Sequence, residues 1–470
     1  MWDTYYGGLG VLHDTLELQR TSPGYAAGME RLVRKMARAV VWNETFVVGA
    51  MGSSVTAGHD NCNADSYERQ LERILAPVVK ALDWSFEVRN AGEGGGCGDS
   101  YENQIWCLRH TLGDDVDVTH YSWTYFEHEH KHAFHEMFIR WSLFMDKSPL
   151  PMILNTGNGD AHAAHMEDAI MDYKLSQAYA PWGFNTLYMT RGIEAYGYPG
   201  KEWGHVGDTL HNTTREGETA DPVRRDSLGV VFRNWHPGPL LFQTTADTLA
   251  LLYTTALRQA LVEIHNCSNP KDTWPRVQPL LTAQDLPPVV ACDEAWCGKA
   301  RVPSCLNLEK PTYGTAQIHT MAHDDPFNPL AHLYDASLAD WTFTMPPPST
   351  LIPREERQRP ECQHLDFCSG LLQRKGVATN PIFFRLPRMD LGFIAVCCKG
   401  KTCGQYLLDN NVTAWFDGRR MTPHKTLFGK CIEIQPSFEG PVEDTDGHLV
   451  LGLQVPPSSD DVIVSHVVTL

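Results

Sequence analysis

The chain has 470 residues, of which 42% are hydrophobic, so it can bury a sizeable core and form two or three domains. Its formal net charge of −18 at pH 7 argues against binding to nucleic acid or anionic membranes, because both need clustered Lys and Arg. A neutral, sugar-like substrate fits this charge better. We find no apolar run of about 18 residues, so the sequence predicts no transmembrane segment.

Cysteine usage and N-glycosylation sequons predict an oxidising compartment. The chain has 13 Cys, an odd number that leaves at least one thiol unpaired or intermolecular. Several of them lie close together in sequence, at Cys292, Cys297 and Cys305, at Cys362 and Cys368, and at Cys397, Cys398, Cys403 and Cys431. This spacing leaves the disulfide pairing open. Sequons begin at Asn43, Asn212, Asn266 and Asn411. We expect a secreted or lumenal glycoprotein, although no signal peptide follows Met1.

Residues 1–45 form a lead-in followed by one covering helix. Apolar residues recur at helical spacing from Ala26 to Trp42, and basic residues occupy the other faces. We therefore expect a solvated basic face, made of Arg31, Arg34, Lys35 and Arg38.

Residues 46–265 have the pattern of an α/β domain. A short apolar run predicts a strand at 46–51, further strands are expected at 85–90, 117–123, 151–155 and 184–189, and helical patterns separate most of them. This alternation predicts a parallel sheet with helices on both faces. Ligands of such sheets bind beyond the carboxyl ends of the strands, where Ser54 and the glycine-rich segment 92–98 fall. His236 directly precedes a long helical pattern at 240–264.

The last two regions differ from the first. Residues 266–370 are rich in Pro, Cys and Trp with little periodicity, which indicates a disulfide-stapled connector on the surface. Residues 371–470 contain short strand patterns separated by turn residues, which predict a small antiparallel β-sandwich. These patterns lie at 393–398, 412–416, 430–438, 448–455 and 462–470.

Three elements of the α/β domain are residues 52–58, the glycine-rich segment 92–98 and His236 before the last helix. Together they resemble the SGNH hydrolases, also called GDSL-type esterases and lipases. Residues 52–58 read Gly-Ser-Ser-Val-Thr-Ala-Gly and match the family's Gly-Asp-Ser-x-Thr-x-Gly block, except that Ser53 replaces Asp. The resemblance implies that the parallel sheet is flavodoxin-like. It also implies that Ser54 is the nucleophile, that His236 is the general base, and that the amides of Ser54 and Gly95 form the oxyanion hole. The alternative for Ser53 and Ser54 is that they only cap the following helix.

Two further blocks of that family are altered. Phe126 occupies the position of the Asn that completes the oxyanion hole, and Arg233 replaces the Asp of Asp-x-x-His. Losing one oxyanion donor costs roughly 10²-fold to 10³-fold in rate, and losing the orienting Asp costs roughly 10⁴-fold. Possible substitutes are a backbone carbonyl near Trp235, the carboxylates of Asp99, Asp226 and Glu127, and polar side chains of Asn155, Asn158 and Asp160.

Three functional hypotheses remain. The first is a serine esterase or acyl-transfer enzyme acting on acylated, for example O-acetylated, carbohydrate or on a small ester, with no cofactor. The second is a catalytically inactive glycan-binding or structural protein of the same fold. The third is a zinc hydrolase, because His128-Glu129-His130-Lys131-His132 matches His-Glu-x-x-His. Apolar residues on the opposite helix face favour solvent exposure of His128, His132 and His135 instead.

Overall fold

The structure is a computed structural model of the chain. It describes Leu12, Leu16 and residues 22–58, 66–92, 105–122, 131–155, 169–188, 232–233, 236–237, 239–307, 340–344, 371–374, 380–386, 393–398, 403–416, 418–435, 449–455 and 462–470.

The first half of the chain folds around a parallel sheet. Its strands are β1 (Phe46–Gly52), β2 (Phe86–Gly92), β3 (Val118–Ser122), β4 (Leu150–Asn155) and β5 (Asn185–Tyr188). Among the described residues, these five strands lie in the order β2-β1-β3-β4-β5, and each neighbouring pair is parallel. This is the flavodoxin-like order, so the predicted fold class is confirmed.

Helices cover both faces of this sheet. They are α1 (Tyr25–Trp42), α2 (Ser54–Ala57), α3 (Tyr67–Ala81), α4 (Leu108–Leu112), α5 (Lys131–Phe144), α6 (Ala169–Tyr179) and α7 (Pro239–Asn266). Because successive strand residues point to opposite faces, Phe46 and Val48 pack with α1, α3 and α7, whereas Val47 and Met51 pack with α5 and α6. Every residue of β1 is buried, as expected for a strand covered on both sides.

The basic residues of α1 do not all face solvent as the sequence pattern predicts. Lys35 and Arg38 are both only 3% exposed. Arg38 donates a 2.7 Å hydrogen bond to the buried carboxylate of Asp117, which also accepts the Lys147 ammonium at 3.1 Å. The Lys35 Nζ atom donates to the Lys147 carbonyl at 2.7 Å, and burial lowers its pKa well below the usual value. The expected solvated face was therefore wrong for these two residues.

The described part of the connector packs tightly against α5. It contains α8 (Pro270–Thr273), α9 (Glu294–Cys297) and 3₁₀ turns at Ala283–Asp285. The buried carboxylate of Glu136 on α5 accepts the backbone amides of Val290, Ala291 and Cys292 at 2.5–3.0 Å. One side chain thus accepts hydrogen bonds from three successive backbone amides of an irregular segment, which is not part of a β-sheet that could supply acceptors.

The C-terminal region is a β-sandwich, as predicted. Its strands are β8 (Ser304–Asn307), β9 (Trp341–Thr344), β10 (Leu371–Arg374), β11 (Ile382–Leu386), β12 (Ile394–Cys398), β13 (Thr413–Phe416), β14 (Arg419–Met421), β15 (Lys425–Leu427), β16 (Cys431–Ile434), β17 (Leu449–Gln454) and β18 (Ile463–Thr469), and α10 (Cys403–Asp409) lies between β12 and β13. Among the described residues, the larger sheet has the order β15-β16-β12-β18-β10-β9, with β8 also paired to β18. The smaller sheet has the order β11-β17-β13-β14.

Two hydrophobic cores hold this region in place. One lies between the two sheets and includes Phe384 and Leu451 from the smaller sheet and Val396 and Ile432 from the larger. The other is shared with the α/β domain, because Ala395 and Val468 on the opposite face of the larger sheet belong to the same core as Met51. Strands β8 and β9 come from the predicted connector, where no strand was expected. Four-residue strands are too short to show a period of two in the sequence.

Disulfide bonds are present, as the cysteine pattern predicts. Among the described cysteines they join Cys107 to Cys305, Cys292 to Cys297, Cys397 to Cys431 and Cys398 to Cys403. The first of these links the start of α4 to β8, so it fastens the α/β domain to the sandwich across 198 positions. Cys267 has no disulfide partner. No helix in the described ranges combines the length and the apolar character needed to cross a bilayer.

Candidate active site

The candidate site lies where strands β1, β2 and β3 end. Gly52 pairs with Gly92 on one side and with Ser122 on the other, so the three strands finish level. In the order β2-β1-β3 the chain reverses its direction of winding at β1, and such switch points leave a crevice beyond the carboxyl ends of the strands. Helix α2, which begins at Ser54, follows β1 directly into this crevice.

Gly52 is required by the close approach of three chain segments. A Cβ atom at this position would lie 2.2 Å from Thr56 Oγ1 and 2.8 Å from the Ser122 carbonyl oxygen. Real Cβ atoms do not approach neighbours this closely, so only glycine allows β1 to turn straight into α2.

Ser53 fixes the turn through its backbone and its side chain. Its amide donates to the Ser122 carbonyl at 3.3 Å, and its Oγ atom accepts from the Val55 amide at 3.4 Å. Ser53 is fully buried, so it is not available to substrate. The helix-capping role considered for the serine pair is therefore performed by Ser53.

Asn90 connects helix α2 to the end of β2. Its Nδ2 atom donates to the Thr56 carbonyl at 2.6 Å and to Ser66 Oγ at 2.9 Å. Its Oδ1 atom accepts from the Gly92 amide at 2.7 Å. One buried amide side chain thus holds helix α2 and the end of β2 in a fixed relative position.

A buried carboxyl group completes this network. Glu68 Oε2 lies 3.3 Å from Asn90 Nδ2, and Glu68 is fully buried. Burial raises the pKa of this carboxyl group well above its usual range, because a low-dielectric environment disfavours the charged form. The hydroxyls of Thr56 and Tyr67 lie 3.3 Å apart and tie α2 to α3. The network surrounds the base of α2.

His236 lies on a short hairpin next to α2. Strands β6 (Phe232–Arg233) and β7 (His236–Pro237) are antiparallel, with Arg233 directly opposite His236. Cα atoms of β7 lie within 8 Å of Cα atoms of α2, so the backbone segments that carry Ser54 and His236 are neighbours. Helix α7 begins at Pro239, in agreement with the helical pattern expected there.

Several candidate residues lie outside the described structure. The backbones of Ser54, Asn155, Arg233 and His236 are described and their side chains are not. Wholly outside the described residues are Gly95, Asp99, Phe126, Glu127, Asn158, Asp160 and Asp226. Asn155 is the last residue of β4, two strands away from β1.

A second histidine under the site is structural. His120 on β3 is fully buried, and its Nε2 atom lies 2.8 Å from the Tyr253 hydroxyl on α7. Burial lowers the pKa of His120 to about 3, so the ring stays neutral at any physiological pH. A ring that cannot reach solvent or gain a proton has no role as a general base.

The histidine-rich segment does not have the exposed character that the sequence pattern predicts. His135 is 2% exposed and packs edge-on against Tyr121, with ring centroids 5.7 Å apart. His132 is partly buried, and His128 lies outside the described residues. The expectation of a solvated face was wrong for His135, because its ring packs against Tyr121 of the sheet.

A different group has the composition of a metal site. In the described ranges, one cluster of three possible ligands occurs, made of Cys107, Cys305 and His466. The two sulfur atoms form a disulfide, and metal ions bind thiolates. In the disulfide-bonded state, the cluster is therefore a covalent link with the buried His466 beside it. Burial lowers the pKa of His466 to about 3.

The residues around the base of α2 were not anticipated as a network. Asn90 was only the reference point for the glycine-rich segment, and Glu68 carried no prediction. The available signal was a polar residue at the end of a buried strand and an acidic residue in the first turn of α3, after the Ser66 cap. Neither position reveals its partner without the fold.

Comparison with known proteins gives no family assignment. No protein-family model and no curated protein matches the chain. It is similar to a solved two-domain esterase (CEX) active on acetylated mannans, co-crystallised with mannopentaose, at 11% identity over 93% of this chain and 94% of the other, with a TM-score of 0.42. A second structure of such an esterase gives 12% identity, the same coverage and a TM-score of 0.39. TesA gives 14% identity over 44% of this chain and 99% of its own, with a TM-score of 0.23. Likenesses this weak carry no argument about activity.

Proposed function

We propose that the chain is a serine-dependent ester hydrolase of the SGNH type that acts on acylated carbohydrate. The observation that carries the proposal is the backbone proximity of α2, which begins at Ser54, and β7, which contains His236, at the carboxyl edge of the sheet. Serine is a weak nucleophile until a base takes its proton, so a candidate serine needs an imidazole within reach. More than 180 positions separate these two residues in the sequence.

The proposed mechanism has two steps. Ser54 Oγ attacks the ester carbonyl while His236 accepts its proton, and His236 then returns the proton to the leaving alcohol. Water enters by the same route and releases the acid from the acyl-enzyme. The amides of Ser54 and Gly95 stabilise the oxyanion in both steps. The buried network of Asn90, Thr56 and Glu68 supports this mechanism, because it fixes the backbone from which one of these amides projects.

Charge and architecture favour a carbohydrate ester as substrate. The net charge of −18 disfavours a polyanionic substrate such as a nucleic acid. The β-sandwich shares a continuous core with the α/β domain, so the two domains can contact one polymer. The disulfides support secretion, where they persist and where acylated polysaccharides occur.

Acetate release provides the test. Wild-type protein should release acetate from acetylated xylan or acetylated mannan, and Ser54→Ala should reduce the rate by about 10⁴-fold or more. Ser53→Ala is the matched control, since it removes a buried neighbouring hydroxyl and costs stability rather than chemistry. Equal rates for wild type and Ser54→Ala would exclude the proposal.

A catalytically inactive glycan-binding protein is the second candidate, and one observation favours it. Arg233 lies directly opposite His236 in the hairpin. The SGNH hydrolases, which this chain resembles, have an aspartate at the position of Arg233. A nearby guanidinium lowers the proton affinity of an imidazole and cannot orient it as a carboxylate does. Folded protein that binds acetylated glycan without releasing acetate would favour this candidate.

A further inference from the structure

The outer face of the smaller sheet of the sandwich carries an aromatic row. Phe383 on β11 pairs with Gly452 on β17, and Gly452 pairs with Trp415 on β13. Trp415 pairs in turn with Arg420 on β14. Residues directly opposite one another in antiparallel strands share a face, so these four residues form one line across the sheet. The alternate residues, including Phe384, Ala414 and Leu451, are buried in the sandwich core, so the row faces outward.

The row contains an open apolar pocket. Its lining residues are Pro381, Phe383, Trp415, Gly418, Val450 and Gly452. A Cβ atom on Gly452 would lie 2.9 Å from Phe383 Cε1 and 3.5 Å from Trp415 Cε3, so the two aromatic rings border the bare backbone of this glycine. Gly418, at φ +75°, has open space where a side chain would be and leaves one rim uncovered.

Polar groups lie around the pocket. Arg420 is exposed at one end of the row, and Thr413 and Gln454 form the next cross-strand pair on the same face. An apolar floor with a few polar groups at its edge is the usual character of a small-molecule site. A pyranose ring matches it, since its C–H face packs on an aromatic ring while its hydroxyls point outward to donors and acceptors.

We propose that this pocket is a carbohydrate-binding site that holds one pyranose ring of a polysaccharide against Trp415 and Phe383. It lies on the sandwich, is built from residues other than those assigned to catalysis, and does not depend on the proposed esterase chemistry. Gly452 lets both rings pack against the bare strand backbone, and the exposed Arg420 supplies donors for the sugar hydroxyls.

Titration calorimetry of the full chain with four unacylated oligosaccharides tests this proposal. The probes are cellohexaose, mannohexaose, xylohexaose and an oligogalacturonate of the same length. At least one should bind saturably, and Trp415→Ala should weaken its affinity at least about 10-fold, as truncation of an aromatic hot spot does. Trp415→Phe should retain part of the affinity, and Trp182→Ala on the α/β domain is the tryptophan control.

Three results would overturn the proposal. They are the absence of binding to all four probes, binding that survives Trp415→Ala, and a concentration-dependent dimer that is lost in Trp415→Ala, which would assign the face to a second copy of the chain. Thermal unfolding of each variant excludes misfolding as the cause of lost binding. Because the probes carry no ester and the readout is binding, a failed acetate-release assay leaves this test intact.

Discussion

The side-chain amide of Asn90 donates a 2.6 Å hydrogen bond to the backbone carbonyl of Thr56, in the short helix that begins at Ser54. The same side chain accepts the Gly92 amide, just before the segment that contains Gly95. A single residue of β2 therefore sets the relative position of two backbone segments from which the proposed oxyanion donors project.

Replacing Asn90 should reduce both stability and activity. Asn90→Ala leaves the Thr56 carbonyl and the Gly92 amide without their partner, which costs about 1–3 kcal/mol for each unsatisfied buried group. We expect kcat to fall at least about 10-fold with KM little changed, because preorganised donors act mainly on the transition state. Asn185→Ala is the control, since it removes a buried side-chain amide at the start of β5, at the opposite edge of the sheet from the carboxyl ends of the strands. Equal kcat for both variants would show that Asn90 has no positioning role.

Gly52→Ala should abolish the turn geometry. Its methyl group would overlap Thr56 Oγ1 and the Ser122 carbonyl, and overpacking of this kind costs about 1–3 kcal/mol or more. Gly418→Ala is the contrasting variant: its φ is +75°, but a methyl group there meets no atom within 4 Å. We expect soluble yield and esterase activity to fall for Gly52→Ala and to remain for Gly418→Ala. Full activity of Gly52→Ala would contradict the close approach at this turn.

Arg233→Asp should increase esterase activity. The substitution places a carboxylate on the residue opposite His236, where it can orient the imidazole and stabilise its protonated form. A gain of at least about 10-fold in kcat is expected, out of the roughly 10⁴-fold that an orienting aspartate contributes elsewhere. Arg233→Gln removes the positive charge without adding a carboxylate, so it separates the two effects. A loss of activity in Arg233→Asp would mean that the arginine itself serves the reaction.

Two buried histidines should make the protein sensitive to acid. Burial lowers the pKa of His120 and of His466 from 6.5 to about 3. The neutral rings contribute stability that is present above pH 6.5 and lost as the pH falls from 6.5 toward 3, because only the unfolded chain takes up the protons. Each histidine should lower the free energy of unfolding by about 2 kcal/mol between pH 7.5 and pH 5.0. Urea unfolding at both pH values should show a smaller decrease for His120→Gln than for wild type, and an unchanged decrease would contradict this cause.

The sequence predicted the parallel sheet well because helical patterns separate its short strand segments. All five predicted strands are present within two residues of their expected ends, and Gly52 and Ser54 fall at the strand end as expected. The strand order followed from the resemblance to a family, since periodicity does not reveal which strands are neighbours.

The errors have a common physical cause, which is tertiary contact between segments that are distant in sequence. Lys35 is polar and occupies the polar side of an amphipathic pattern, yet the fold brings the Lys147 carbonyl to it and buries it. His135 looked exposed because the apolar residues of its helix lie on another face, yet the fold packs its ring against Tyr121 of β3. Strand β8 is four residues long and forms because β18, which lies more than 150 positions later, offers an edge. Helical and strand periods describe one segment at a time and contain no information about such partners.

Covalent labelling of Ser54 is the most direct test of the proposed active site. Native protein is incubated with a fluorophosphonate probe, digested, and the modified peptide is identified by mass spectrometry. Wild type should carry one label on Ser54, Ser54→Ala should carry none, and His236→Ala should react at least about 100-fold more slowly, because the serine then lacks its base. Folded wild-type protein that stays unlabelled, or a label that persists in Ser54→Ala, would contradict the assignment of Ser54 and His236 as nucleophile and base.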